Sequence, residues 1–266
     1  MGRVRWSLVL LPLLLPGAHL AGQEQGAAHA KSATPVFIEL FTSEGCSSCP
    51  PADAFLKKLD QLQPIGGGQA IVLSEHVDYW NYEGWTDPYS SGSFSMRQAA
   101  YVRALGGDSP YTPEFIVNGK TEMDLAKPEQ VSRILLDAAK SAQLPVSIGA
   151  VRIEGDSPAV LHARIDADGT GAKRNADVFV AIALDHAESQ VLHGENGGRR
   201  LEHAAVVVDL VRAGKLEKGR PFSQEFQTRL KPGLDAKNLR LVVFVQEPGP
   251  GNVLGSALQE VRPDTK

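Results

Sequence analysis

Cys46 and Cys49, the two cysteines of a 266-residue sequence, fall where one hydrophobic periodicity gives way to another. Ahead of them, Val36-Phe37-Ile38-Glu39-Leu40-Phe41 is a short, nearly unbroken apolar run, the pattern of a buried strand. Behind them, Ala52, Phe55, Leu56, Leu59 and Leu62 recur at helical spacing. A second apolar run, Ala70-Ile71-Val72-Leu73-Ser74, follows the Gly66-Gly67-Gly68 loop. Two buried strands joined by one helix make a parallel βαβ unit with a right-handed crossover. The cysteines then lie at the strand-to-helix turn, on the carboxyl end of the sheet where open α/β proteins carry their sites.

That position has a chemical consequence. The free amides and positive dipole end of a helix N-terminus favour an anion, and the thiolate is the reactive form of cysteine. Cys46 is the candidate nucleophile and Cys49 its resolving partner. A disulfide between them closes only about four residues, worth about 2 kcal/mol by loop entropy against about 4.7 kcal/mol for a hundred-residue loop. Such local spacing suits reversible redox chemistry, which needs no cofactor, better than stapling. Two other readings stay open at this point. One is a purely structural disulfide. The other is a copper or zinc site made by Cys46, Cys49 and His76, since two thiolates and an imidazole suit those ions.

The N-terminal residues read as a targeting segment spanning 1–30. Arg3 and Arg5 give a positive start, Leu8 to Leu15 is apolar apart from Pro12, and Ala28-His29-Ala30 fits a small-x-small cleavage site. The apolar stretch is too short to span a bilayer comfortably, so no membrane span is expected once it is removed. An exported chain with one close cysteine pair belongs in a compartment where disulfides form, periplasmic or secreted. The net charge of −4 gives no basic face of the kind nucleic-acid binders carry.

His76-Val77-Asp78-Tyr79-Trp80 follows the second strand and is expected beside the cysteines. The stretch from Tyr79 to Tyr89, with Trp80 and Trp85, reads as a loop packed by its own aromatics. Ser93 to Leu105 reads as a helix, with Phe94, Ala99, Tyr101, Val102 and Leu105 as its apolar candidates, ended by Gly106-Gly107. Pro113 marks a fixed turn ahead of a Phe115–Val117 strand, and Asn118-Gly119 is a strong hairpin signal toward a strand from Lys120 to about Leu125. Pro128 opens a third helix, with Val131, Ile134, Leu135, Ala138 and Ala142 as its apolar stripe.

Past Gln143-Leu144-Pro145 the period turns from helical to alternating. Strands are expected at 146–153, 159–166, 177–184, 222–230, 239–246 and 255–261; 191–193 is a further candidate, and 206–211 reads as a strand or a linker. Six or seven strands in about 120 residues suggest a β-sandwich. The loop Gly194-Glu195-Asn196-Gly197-Gly198-Arg199-Arg200, with His193 and His203, fits three roles: a polar hairpin turn, a ligand or metal site, or a surface that docks on the first half.

The order strand, helix, strand, helix, strand, strand, helix, with C-x-x-C after the first strand and a proline before the third, resembles a thioredoxin fold. More narrowly, the chain is similar to a bacterial family of exported thioredoxin-like proteins catalogued as a domain of unknown function. The matching residues run from Glu39 through Thr42-Ser43-Glu44-Gly45-Cys46 and Cys49-Pro50-Pro51 to Asp53. They continue with His76-Val77-Asp78-Tyr79-Trp80, Gly84-Trp85, Asp87-Pro88, Arg97-Gln98 and Tyr111-Thr112-Pro113, and later with Gly194-Glu195-Asn196, Gly198-Arg199, Leu201 and His203.

The strand count makes 145–266 an all-β, sandwich-like domain, and the resemblance implies a thioredoxin-like α/β domain over 34–143. It implies a cis bond at Pro113 beside an active disulfide, a proline that would also disfavour metal capture. The expected function is a thiol–disulfide oxidoreductase or redox-responsive protein acting on protein thiols or disulfides of the cell envelope. Cys46, Cys49 and Pro113 would carry it, with His76 and Glu44 tuning the thiol. A non-catalytic envelope binding module is the other alternative to metal handling. Asp78, Trp80, Trp85, Thr112, Glu195, Asn196, Arg199 and His203 are candidate substrate or interdomain contacts. Ordinary thioredoxins carry a tryptophan before the first cysteine; Glu44-Gly45 stands there instead, and an acid beside the nucleophile opposes thiolate formation.

Overall fold

The structure, a computed structural model, describes residues 1–2, 33–155 and 158–261. The expected targeting segment therefore lies outside the described residues, apart from its first two. The described residues from Ala33 onward cluster as one compact unit. It is a mixed α/β fold with a large sheet and few helices. Among the described residues, no helix is long and apolar enough to cross a membrane.

Strand β1 (Thr34–Thr42) and strand β2 (Gly68–His76) pair in parallel around helix α1 (Pro50–Gln61). Alternation along β1 explains why its sequence is almost wholly apolar. Val36, Ile38 and Leu40 pack toward α1 and helix α3 (Pro128–Lys140), while Phe37 and Phe41 face the opposite side. Pro50 and Pro51 occupy the first turn of α1, where a missing N–H leaves no bond unmade. The inward stripe of α1 is Ala52, Asp53, Leu56 and Leu59; the expected Leu62 is exposed. Helix α2 (Gly92–Leu105) starts on a Ser91 cap and ends on Gly106 in the left-handed region at φ 78°. It buries Phe94, Gln98, Tyr101 and Val102 against the far face of the sheet, while Leu105 is exposed.

Strand β3 (Glu114–Val117) runs antiparallel to β1 and hairpins into β4 (Thr121–Met123). The turn is Asn118-Gly119, with φ 49° and 66°, as an Asn-Gly hairpin requires. The Asn118 side-chain oxygen also accepts the buried Phe37 N–H at 2.9 Å.

The expected boundary near 143–145 falls between α3 and β5 (Val146–Ile148), and the sheet is continuous across it. Two long strands, β8 (Ala176–Gln190) and β9 (Arg200–Leu216), form a hairpin whose second strand meets β2 in parallel at Ser74 and Val206. The stretch 206–211 is thus strand, and 191–193 lies in the hairpin tip. With β11 (Leu239–Gln246) and β12 (Val253–Glu260) the eight-stranded order is β12-β11-β8-β9-β2-β1-β3-β4. A second sheet stacks on one face of it. Its order is β10-β7-β5, where β7 is Val160–Ala167 and β10 is Phe222–Arg229, and β6 (Arg152–Glu154) pairs with β7. Leu161, Ala163 and Ile165 point into the core against Val180, Leu241 and Val243, while Arg164 points out to solvent.

Candidate functional site

Register places the site before any side chain is considered. Thr42 pairs with His76 across β1 and β2, and Phe41 pairs with Glu114 across β1 and β3. The cysteine turn, His76 and Pro113 therefore emerge at the same end of the sheet. Cys46 and Cys49 form a disulfide with Cα atoms 5.4 Å apart, and Cys49 is the N-cap of α1. Ser48 Oγ lies 3.3 Å from Cys46 Sγ. The Thr112–Pro113 peptide is cis, and so is Gln63–Pro64. Both cysteines are 0% exposed, while Ser47 and Ser48 between them are open to solvent.

Aromatic and polar side chains fasten the turn from two directions. Trp80 lies over Gly45, where an added Cβ would come within 3.0 Å of the Trp80 Cβ. Its indole N–H donates to Thr112 Oγ1 at 2.7 Å, tying the aromatic loop to the residue before the cis proline. From the other side comes the tip of the β8–β9 hairpin. Asn196 Nδ2 donates to the carbonyls of Glu44 and Cys46, both at 2.9 Å, and Glu195 accepts the Ser47 N–H at 2.9 Å. Arg199 donates to Asn196 Oδ1 at 2.9 Å, so the amide nitrogen is the end that faces the carbonyls. The loop is a polar hairpin turn, and its Glu195 and Asn196 side chains also meet the cysteine turn.

Beneath the turn lies a buried acid–histidine cluster. Asp87 Oδ2 meets His76 Nδ1 at 2.7 Å and accepts the Glu44 N–H at 2.9 Å, so one carboxylate links the end of β2 to the cysteine turn. Burial would raise the Asp87 carboxyl, but His76 and the N–H groups of Glu44 and Tyr89 outweigh it and hold it below the usual range. An ionised carboxylate only accepts, so the proton of that bond sits on His76 Nδ1. Glu44 is itself buried; Trp85 Nε1 donates to its Oε2 at 2.8 Å. His203, from β9, stacks edge-on to His76 with ring centroids 4.8 Å apart. It lies 3.4 Å from Glu44 Oε1 and 3.7 Å from Asp53 Oδ1, distances of ion pairs rather than of formed hydrogen bonds. Burial favours its neutral form, yet the Asp53 and Glu44 carboxylates win and lift its pKa to about 10.

Of the residues singled out in the sequence, Glu44, His76, Trp85 and His203 meet in this cluster, and Thr112, Trp80, Glu195, Asn196 and Arg199 gather around the turn. Asp78 does not join them: it takes the Ser95 hydroxyl at 2.6 Å and secures the start of α2. Sequence reasoning missed Asp53 and Asp87 as site residues. Asp53 had a signal, since it falls on the apolar face of α1. A second buried group was also missed. Arg97 pairs with Glu39 at 2.6 Å and approaches Glu75 at 3.5 Å, and Tyr101 donates to Glu39 at 2.6 Å. Burial, and then the Glu39 carboxylate, push the Glu75 carboxyl well above its usual range against the pull of Arg97. Glu114, directly after Pro113, is lifted to about 7 by burial, with Glu122 adding to it and a Gln98 hydrogen bond opposing.

As to metals, among the described residues no group of three or more His, Cys, Asp or Glu side chains is arranged to hold an ion. In the oxidised form Cys46 and Cys49 are bonded to each other, and His76 Nδ1 is engaged by Asp87.

Comparison with known proteins gives a family and a fold. The model of a family described as "Protein of unknown function (DUF1223)" matches residues 37–246. A crystal structure of protein AGR_C_4864 from Agrobacterium tumefaciens is 31% identical, with a TM-score of 0.68 over 89% of this chain and 98% of that one. HBP35 of Porphyromonas gingivalis, 15% identical, has a TM-score of 0.63 over 88% of this chain and 78% of its own, a likeness of fold alone. No curated protein matches.

Proposed function

The chain belongs to the DUF1223 family, and from the surroundings of its cysteine pair we propose that it is an exported thiol–disulfide oxidoreductase of thioredoxin-like architecture. The observation that carries this reading is the Cys46–Cys49 disulfide at a strand-to-helix turn, on the same sheet end as the cis Thr112–Pro113 peptide. The strand order β2-β1-β3-β4, with α1 and α3 on one face and α2 on the other, supports a thioredoxin-like unit over 34–143. The second sheet stacked on β8 and β11 supports a sandwich-like unit over 145–266. A disulfide fits an oxidising compartment, periplasmic or extracellular, where the partners are protein thiols and disulfides.

In the reduced form, the Cys46 thiolate attacks a partner disulfide. A Cys46–partner bond forms, and one partner sulfur leaves as a thiolate and takes up a proton. Cys49 then attacks Cys46 Sγ, the second partner sulfur leaves, and the disulfide closes. Two electrons and two protons pass to the partner. The oxidised form runs the same steps backwards on a dithiol. Glu44 and Asp53 bracket the pair in sequence, and the His203 imidazolium between them balances charge that would otherwise oppose a thiolate.

The test uses a reduced peptide with two cysteines. The oxidised protein is expected to convert it to the disulfide, one peptide per protein, with both Cys46→Ser and Cys49→Ser inactive in turnover. Conversion no faster with wild type than with the double serine variant would reject the reading.

A further inference from the structure

With 0% exposure of either cysteine, a reacting thiol has no path to sulfur until something above the turn moves. Of the two segments that hold the turn, Trp80 is partly buried and pinned to Thr112. The hairpin tip is built differently. Residues 192–195 and 197–199 are exposed, Gly194 and Gly198 sit at φ 75° and 83°, and the grip on the turn consists of the side chains of Glu195 and Asn196.

We propose that the β8–β9 tip is a strap over the cysteine turn, with Glu195 and Asn196 as positioning residues that set how fast, and not how favourably, the disulfide exchanges. This rests on the thiol–disulfide reading above. The reason for the split lies in the atoms the strap holds. They are the carbonyl oxygens of Glu44 and Cys46 and the N–H of Ser47, main-chain groups present in both the disulfide and the dithiol. A grip of equal strength on both states lowers the population open to attack in each and leaves their balance untouched. Arg199, by orienting the Asn196 amide, serves the same strap.

Dithiothreitol is a suitable probe. One of its thiolates attacks a protein sulfur, forming a mixed disulfide and releasing the other cysteine. Its second thiol then closes the six-membered cyclic disulfide, so two electrons and two protons reach Cys46 and Cys49. Two net hydrogen bonds lost in Asn196→Ala correspond to about tenfold faster reduction, and the one lost in Glu195→Ala to about threefold. Reoxidation by the cyclic disulfide should accelerate by the same factors, leaving the equilibrium constant at the wild-type value. Rates within twofold of wild type in both variants would overturn the strap, as would faster reduction without equally faster reoxidation. Tryptophan fluorescence checks that Asn196→Ala is folded; if it is not, the exposed Glu195→Ala decides alone. The peptide assay reports separately on the redox reading, so either idea can fail without the other.

Discussion

Replacing Arg97 with Met removes the cation that faces the buried carboxyls of Glu39 and Glu75 at 2.6 and 3.5 Å. Breaking a buried pair by deleting one partner costs about 3–5 kcal/mol, because the remaining charge stays out of water. Arg97 also lies 5.1 to 5.7 Å from the ring centroids of Tyr101, Phe179 and Phe244, and Met keeps the apolar packing but not the charge over those rings. Against a typical total of about 5–15 kcal/mol, the loss is about a fifth of the stability or more. Urea unfolding at pH 7, followed by tryptophan fluorescence and fitted with a shared m-value, reads it as a drop in midpoint. Arg97→Lys keeps the charge without the flat, forked contacts and should fall between the two. The companion variant is Glu75→Gln. An amide resembles the protonated carboxyl that burial favours, so Glu75→Gln should cost less than Arg97→Met. Since a raised carboxyl pKa gives stability that is lost as pH rises through it, Glu75→Gln should also flatten the alkaline side of the stability profile. Arg97→Met within about 1 kcal/mol of wild type would refute this reasoning.

His203→Gln should cost about 3–5 kcal/mol near pH 6.5 by leaving Glu44 and Asp53 without their counter-charge. Because the His203 pKa is raised from 6.5 to about 10, the wild-type advantage is complete below pH 6.5 and fades toward pH 10; denaturant titrations at both ends check it. Glu114, lifted from 4.5 to about 7, takes up a proton on folding, so wild-type stability falls as pH rises through that window. Glu114→Gln, which can still accept from Gln98, should remove that fall and be more stable above pH 8 by about 1–3 kcal/mol. The Cys46→Ser/Cys49→Ser double variant should fold, with about 2 kcal/mol less stability in thermal or urea unfolding.

Elements with a strict local rule were legible in the sequence. β11 was expected at 239–246 and runs Leu239–Gln246, because its apolar run is bounded on both sides. The Asn118-Gly119 turn carries its own conformational preference. β9 was not legible as one 17-residue strand. Register shifts in its pairing with β8, at Val178/Phe179 and Ile182/Ala183, and a positive φ of 55° at Ala205 break the two-residue period. Its link to β2 through Ser74 and Val206 is a long-range pairing that no local pattern encodes. In the site, the cysteines, His76, Glu44 and Pro113 stood out by chemistry or position. Glu39 was absorbed into an apolar run, although a lone acid in a strand buried on both faces demands a partner. That partner, Arg97, is on α2, 58 positions away. Asp87, inside an aromatic loop, had no periodicity to mark it as buried.

The most direct measurement is a redox titration of the folded protein in glutathione buffers of graded ratio, quenched by a thiol-alkylating reagent and read as mass shift. A cycling Cys46–Cys49 pair gives one reversible two-electron transition, approached equally from the oxidised and the reduced side, with the fold intact throughout. A bond that stays closed across the series, and opens only when the protein unfolds, would mean that it is a staple rather than a redox centre.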